Sequence, residues 1–177
     1  TLGEVVVIFT AFVGILMLLS AVTAEHEQAH MKEHKVLLIV SKMLIPMILL
    51  FALYVQFHGD FGPGGGFQAG VILASAVILY ALIFGLSEAK RAVPPSWVRI
   101  GMTFGVLLYG GTGVATWLLG GEFLNYTYFA PHSTHASGQH WGIFTVELGI
   151  LFTVTSAMLA IFYAFGSRLP EISDEDW

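Results

Sequence analysis

Five ionisable residues stand inside long apolar runs or at their edges: Glu4, Lys42, His58, Asp60 and Glu147. A charged side chain at the centre of a membrane helix costs about 2.5–3.5 kcal/mol on insertion scales, so such groups mark ion pathways and proton relays. Carboxylates with exposed carbonyl oxygens suit a hard cation, and a titratable group suits a proton. His58 and Asp60 open the segment His58-Gly-Asp-Phe-Gly-Pro-Gly-Gly-Gly-Phe-Gln-Ala-Gly70. Glycine and proline this dense cannot continue a helix. A simple turn needs one or two glycines, so Gly62, Pro63, Gly64, Gly65 and Gly66 predict a bend or re-entrant segment of specialised packing.

The elements that position these groups follow from composition. The chain has 177 residues, of which 56% are hydrophobic and 11% charged, against about 25% charged in a soluble domain. It is therefore expected to be an all-α, polytopic integral membrane protein. Runs of about 20 apolar residues predict five spans, at 2–22, 36–57, 66–86, 97–119 and 143–165. Lys32, Lys35, Lys90, Arg91, Arg99 and Arg168 all fall on one side of these spans, which the positive-inside rule makes cytoplasmic. Thr1, the glycine break and the 120–142 loop are then outside, and the acidic tail inside. The chain opens at Thr1 in an apolar run, the expectation being a processed chain or part of a longer polypeptide.

Three of these ionisable groups have a plain alternative to a pathway role. Lys42 lies roughly 9 Å inside the expected cytoplasmic boundary, shallow enough to snorkel, although Pro46 also frees the carbonyl of residue 42. Glu4 and Glu147 each begin an uninterrupted apolar stretch. An acid at a helix start complements the macrodipole by about 0.3–1 kcal/mol; otherwise both join Asp60 and His58 in an outer cluster.

Three further patterns point elsewhere. His26-Glu-Gln-Ala-His30 has the spacing of a zinc-protease motif, but His34 is eight residues from His26 and offers no ready third ligand; a solvated connector is expected. His132, His135 and His140 lack an acidic or cysteine companion, so no metal site is expected. Gly101 with Gly105, and Gly110-Gly-Thr-Gly113, give span four a small side for close packing or a hinge. With no cysteine in the chain, disulfides and thiolate sites are excluded. The absence of a phosphate loop or dinucleotide fingerprint leaves no cofactor or enzymatic activity to expect, and no basic patch suggests nucleic acid.

The string HGDFGPGGGFQAGVILASAVILYAL, with Trp141-Gly-Ile-Phe-Thr-Val-Glu-Leu-Gly-Ile-Leu-Phe-Thr-Val, resembles the B subunit of the multi-subunit Mrp-type Na⁺/H⁺ antiporters, which carries the MnhB domain. The likeness extends over about 36–166. Thr1-Leu-Gly-Glu4 and its span look like the C-terminal end of the large A-type subunit of those antiporters, or the equivalent small hydrogenase subunit. Two parts follow: 1–35, like the end of that large subunit, and 36–177, an MnhB-like four-helix domain with an acidic tail. The resemblance implies a non-catalytic, multi-pass subunit in a prokaryotic inner membrane. Its expected partners are other antiporter subunits, Na⁺, H⁺ and the lipid bilayer. Two alternatives stay open: a membrane-arm subunit of a hydrogenase-like or complex I-related redox pump, and a structural subunit whose acids only cap helices.

Overall fold

The computed structural model describes residues 35–59, 62–129 and 135–167. The first expected span, Glu4, the 26–34 connector, Asp60, His132 and the tail from Arg168 lie outside the described residues. Helix α1 runs over Lys35–His58, α2 over Gly66–Phe84, the short α3 over Leu86–Ala92, α4 over Pro95–Leu118 and α5 over His135–Gly166, with a 3₁₀ turn at Tyr126–Phe129. Among the described residues four helices are long and apolar enough to cross a bilayer: Val36–His58, Gly66–Phe84, Pro95–Leu118 and Gly138–Gly166. The protein is thus an all-α polytopic membrane protein.

Local chemistry sets the breaks. Gly85, at φ 98° and ψ 152°, ends α2 two residues before the expected boundary, in a region that side chains avoid. Pro95 starts α4 two residues early, because proline suits the first helical position, where its missing N–H costs nothing.

The largest departure is at α5, which starts at His135 rather than 143. Apolarity marks where a helix enters lipid, not where its hydrogen bonds begin. Its polar first turns dock on the 3₁₀ turn: a Cβ at Gly142 would strike the Tyr126 ring, and Gln139 Nε2 donates to Thr127 Oγ1 at 3.2 Å.

Helix α5 is the central element, packed on α2 along one side and α4 along the other. Gly66 meets Glu147 and Gly70 meets Leu151 and Val154, so α2 and α5 run parallel. Gly101 meets Ser156, and Gly149 meets Gly105 and Tyr109, so α4 and α5 are antiparallel. Helix α1 returns antiparallel to α2, with Gly59 beside Gly65 at one end and Lys42 near Phe84 at the other. The apolar core lies toward the basic end, where Ala74, Ile78, Ala81, Ala89, Val98, Leu159, Phe162 and Tyr163 bury one another. Small residues carry the seams. Gly105 and Gly149 sit backbone to backbone, and Thr155 Oγ1 donates to Gly70 O at 3.1 Å. Such contacts bind helices where lipid removes the hydrophobic drive.

Candidate functional site: an acid enclosed by the glycine break

The break begins as α1 ends, where the Gly62 N–H donates to His58 O at 3.2 Å. Gly65 then adopts φ 136° and ψ 177°, a conformation essentially reserved for glycine. This turn brings three glycines against one residue of α5. A Cβ built on Gly59 would lie 2.9 Å from Glu147 Oε2, and one on Gly65 would lie 3.2 Å from Oε1. One on Gly66 would run into the Glu147 carbonyl oxygen. The half-buried Glu147 therefore has both carboxylate oxygens against the break and its backbone against the first residue of α2. Gln68 Oε1 also approaches Gly65, 3.6 Å from the same Cβ position. The excess of glycine is thus explained by contact rather than by turning alone.

Glu147 is twelve residues into α5, roughly 18 Å from its start. Its expected place at a helix start is corrected, because the helix begins earlier than its apolar run. The macrodipole effect fades within the first turn, so Glu147 cannot be explained as a cap. Nor is it at the outermost rim. Tyr109 is level with Gly149, and α4 continues nine residues further, to Leu118, about 14 Å. Both α4 and α5 thus rise beyond the acid, beside the break.

Another polar group, this one fully buried, sits near the end of α1 that leads into the break. On α1, Ala52 is 0% exposed and Gln56 2%, and neither the Oε1 nor the Nε2 of Gln56 has a hydrogen-bond partner. An amide buried in that state costs about 1–3 kcal/mol by mutational measures. Gln56 precedes Gly59, the residue just past α1 that meets Glu147, by three residues. Its position in a mostly apolar run is the only signal that could have found it.

The other candidates divide. His58 stacks on Tyr54, with ring centroids 5.2 Å apart, and its Nε2 approaches Gly62. Two residues along a helix is a rotation of roughly 200°, which turns His58 away from the Gln56 face. Lys42 is exposed near the other end of α1, with Nζ 5.8 Å from the Phe84 ring centroid. Seventeen residues separate it from Gly59, about 25 Å along the helix, so it belongs to a different level. His140 packs edge-on against Trp141 at 5.8 Å. No group of three metal-ligating side chains occurs among the described residues.

The small side expected of α4 is half used. Gly101 receives Ser156 and Gly105 receives Thr153, whereas nothing lies within 4 Å of a Cβ at Gly110 or Gly111. Gly111 instead lines a groove of about 460 Å³ with Leu107, Ala115, Phe129 and Trp141. Gly113 accommodates Phe123 from the following loop, and Thr116 Oγ1 accepts from the Leu124 N–H at 2.9 Å. Tyr126, on that loop, has its phenol pKa raised, first by burial and then by Tyr109.

Known proteins resemble this chain in sequence. A family profile described as "Domain related to MnhB subunit of Na+/H+ antiporter" matches residues 36–160. Proteins named "Putative antiporter subunit mnhB2" in Staphylococcus aureus strains Newman and COL are each 37% identical over 134 residues. Each alignment covers 74% of this chain and 94% of the relative. The segment matched by the profile takes in the glycine break, the seams of α5 and Glu147 itself. This chain belongs to the family of domains related to the MnhB subunit of Na⁺/H⁺ antiporters.

Proposed function

We propose that Glu147 and the glycine break form part of a cation or proton pathway in a multi-subunit Na⁺/H⁺ antiporter. The chain is a multi-pass subunit of such a prokaryotic membrane complex, a transporter component rather than an enzyme. The observation that carries the pathway role is the enclosure of the Glu147 carboxylate by Gly59 and Gly65. Three glycines clear space around an acid deep in a membrane helix, and helix capping offers no reason for the acid to be there. An ionisable side chain within a membrane span, beside a turn whose backbone can offer carbonyl oxygens, suits the passage of a cation or a proton.

The partners are the other antiporter subunits, with Na⁺, H⁺ and lipid as the species met by the chain. Support for extensive subunit contact comes from α1, where Met43, Met47, Leu50, Phe51, Tyr54 and Phe57 are all exposed. The basic end bearing Lys90, Arg91 and Arg99 faces the cytoplasm by the positive-inside rule, which puts the break on the outer side. Asp60 and Glu4 are further candidates for the pathway on their sequence, and residues 1–35 are the part like the end of the large antiporter subunit.

Glu147→Gln is the decisive variant, since it keeps size and hydrogen bonding and removes the titratable charge. Vesicles carrying the variant complex are expected to assemble normally and to lose at least tenfold in Na⁺-linked or proton-linked transport. Wild-type transport across pH and sodium concentration, in a normally assembled complex, would end the pathway role.

A further inference from the structure

Gln56 and Thr116 are the largest fully buried side chains among the described residues. Thr116 is satisfied: its hydroxyl donates to Gly113 O at 2.8 Å and accepts from the Leu124 N–H. Gln56 leaves a donor and an acceptor unused, both deeply buried. Its position gives that observation a direction. Ala52 and Gln56, one turn apart, lie on the buried face of α1, and Gly59, the residue after the helix ends, abuts Glu147 Oε2. Gln56 is therefore three residues, roughly 5 Å of helix rise, inward of the glycine that meets the acid.

An exposure of only 2% excludes a partner subunit's side chain or a lipid headgroup as its counterpart. The unused pair of atoms then chooses between small species. A bare cation would satisfy Oε1 and repel the Nε2–H, whereas a water molecule donates to one and accepts from the other. Buried waters occupy such polar sites and make about three hydrogen bonds each. We propose that Gln56 holds water at an internal hydrated site inward of the glycine that meets Glu147, extending the aqueous path past the acid. Gln56 is a positioning residue: the carboxamide takes no proton itself but fixes the water that exchanges one with the carboxylate. This rests on the reading of Glu147 as a pathway acid.

The absence of cysteine from the chain permits a direct test of hydration. Gln56→Cys and Ala74→Cys, each the single cysteine of this chain in the assembled complex, are exposed in vesicles to a small water-soluble thiosulfonate. Ala74 is 0% exposed within the apolar core and serves as the dry reference. Labelling at position 56 is expected to be at least tenfold faster than at position 74. Gln56→Leu, of similar size without the amide, is expected to assemble and to lose at least fivefold in transport. Gln56→Asn is expected to recover part of that loss. Equal inertness at positions 56 and 74 would overturn the proposal, whether or not Gln56→Leu folds. Wild-type transport by an assembled Gln56→Leu complex would overturn it too. If position 56 is labelled while Glu147→Gln transports normally, the hydrated site stands and the pathway role of the acid fails.

Discussion

The parallel seam between α2 and α5 is built in opposite ways at its two ends. At the inner end side chains fill it: Ala74, Ile78 and Ala81 meet Leu159, Phe162 and Tyr163. The polar group there is fully used, as the Tyr163 hydroxyl donates to Val93 O at 3.0 Å with Ala89 O at 3.3 Å. At the outer end side chains are removed, and Gly65 and Gly66 let backbone and carboxylate touch. There the polar groups include the Glu147 carboxylate and, on α1, the Gln56 amide, of which the amide has no hydrogen-bond partner. A seam filled with side chains can adjust to a changed volume by rotamer shifts. One made of backbone cannot, and it holds space for polar chemistry that an apolar core would close.

The sharpest way to break this contrast is Gly66→Ala. The added methyl collides with the Glu147 carbonyl, a backbone atom that cannot swing aside, so α2 and α5 must part. Overpacking typically costs about 1–3 kcal/mol where side chains can yield. Here the upper end or more is expected, with assembled complex falling below a tenth of wild type on native gels. Gly62→Ala is the companion: its methyl meets the tip of the His58 ring, which can rotate, and assembly should remain near normal. Equal tolerance of both substitutions would contradict a backbone-made outer seam.

Much of this organisation is legible in the chain. Four of the five expected spans reappear as helices, three within two residues at each end and the fourth starting eight residues early, because long apolar runs and the Gly85 and Pro94-Pro95 breaks constrain helices strongly; the first lies outside the described residues. The break and Glu147 each stand out in the sequence, but their meeting does not, since residues 65 and 147 come together only through the parallel docking of α2 on α5. The start of α5 escapes a reading by apolarity because its first two turns are polar. Gln56 escapes it because an amide in an apolar run carries no charge signal. Its burial depends on tertiary packing. The glycines of α4 look alike in sequence; only α5, packed along one stretch of that helix, distinguishes them.

The inner end predicts a smaller effect. Tyr163→Phe removes one hydroxyl and leaves the ring in the apolar core, so the loss should be near a single hydrogen bond, about 0.5–1.5 kcal/mol. The thermal midpoint of the purified complex should fall by a few degrees, with Na⁺-linked transport unchanged. A transport defect as large as that expected for Glu147→Gln would erase the functional difference between the two ends.

The smallest expected effect concerns a glycine that packs against nothing. A Cβ at Gly110 meets no atom within 4 Å, whereas one at Gly105, five residues earlier on α4, meets Thr153 and the Gly149 carbonyl. In a helix interior alanine is favoured over glycine by roughly 0.5–1 kcal/mol, because glycine loses more backbone freedom on folding. Gly110→Ala should therefore leave thermal stability unchanged or slightly higher, with normal assembly and transport. Gly105→Ala should lower stability by at least about 1 kcal/mol, as expected when a packed site is overfilled. The pair isolates contact from propensity, since the residue type, the helix and the substitution are the same. Should Gly110→Ala impair assembly as severely as Gly105→Ala, the open stretch of α4 would have to be covered in the complex by another protein's backbone. The contrast drawn from this chain alone would then hold only before assembly.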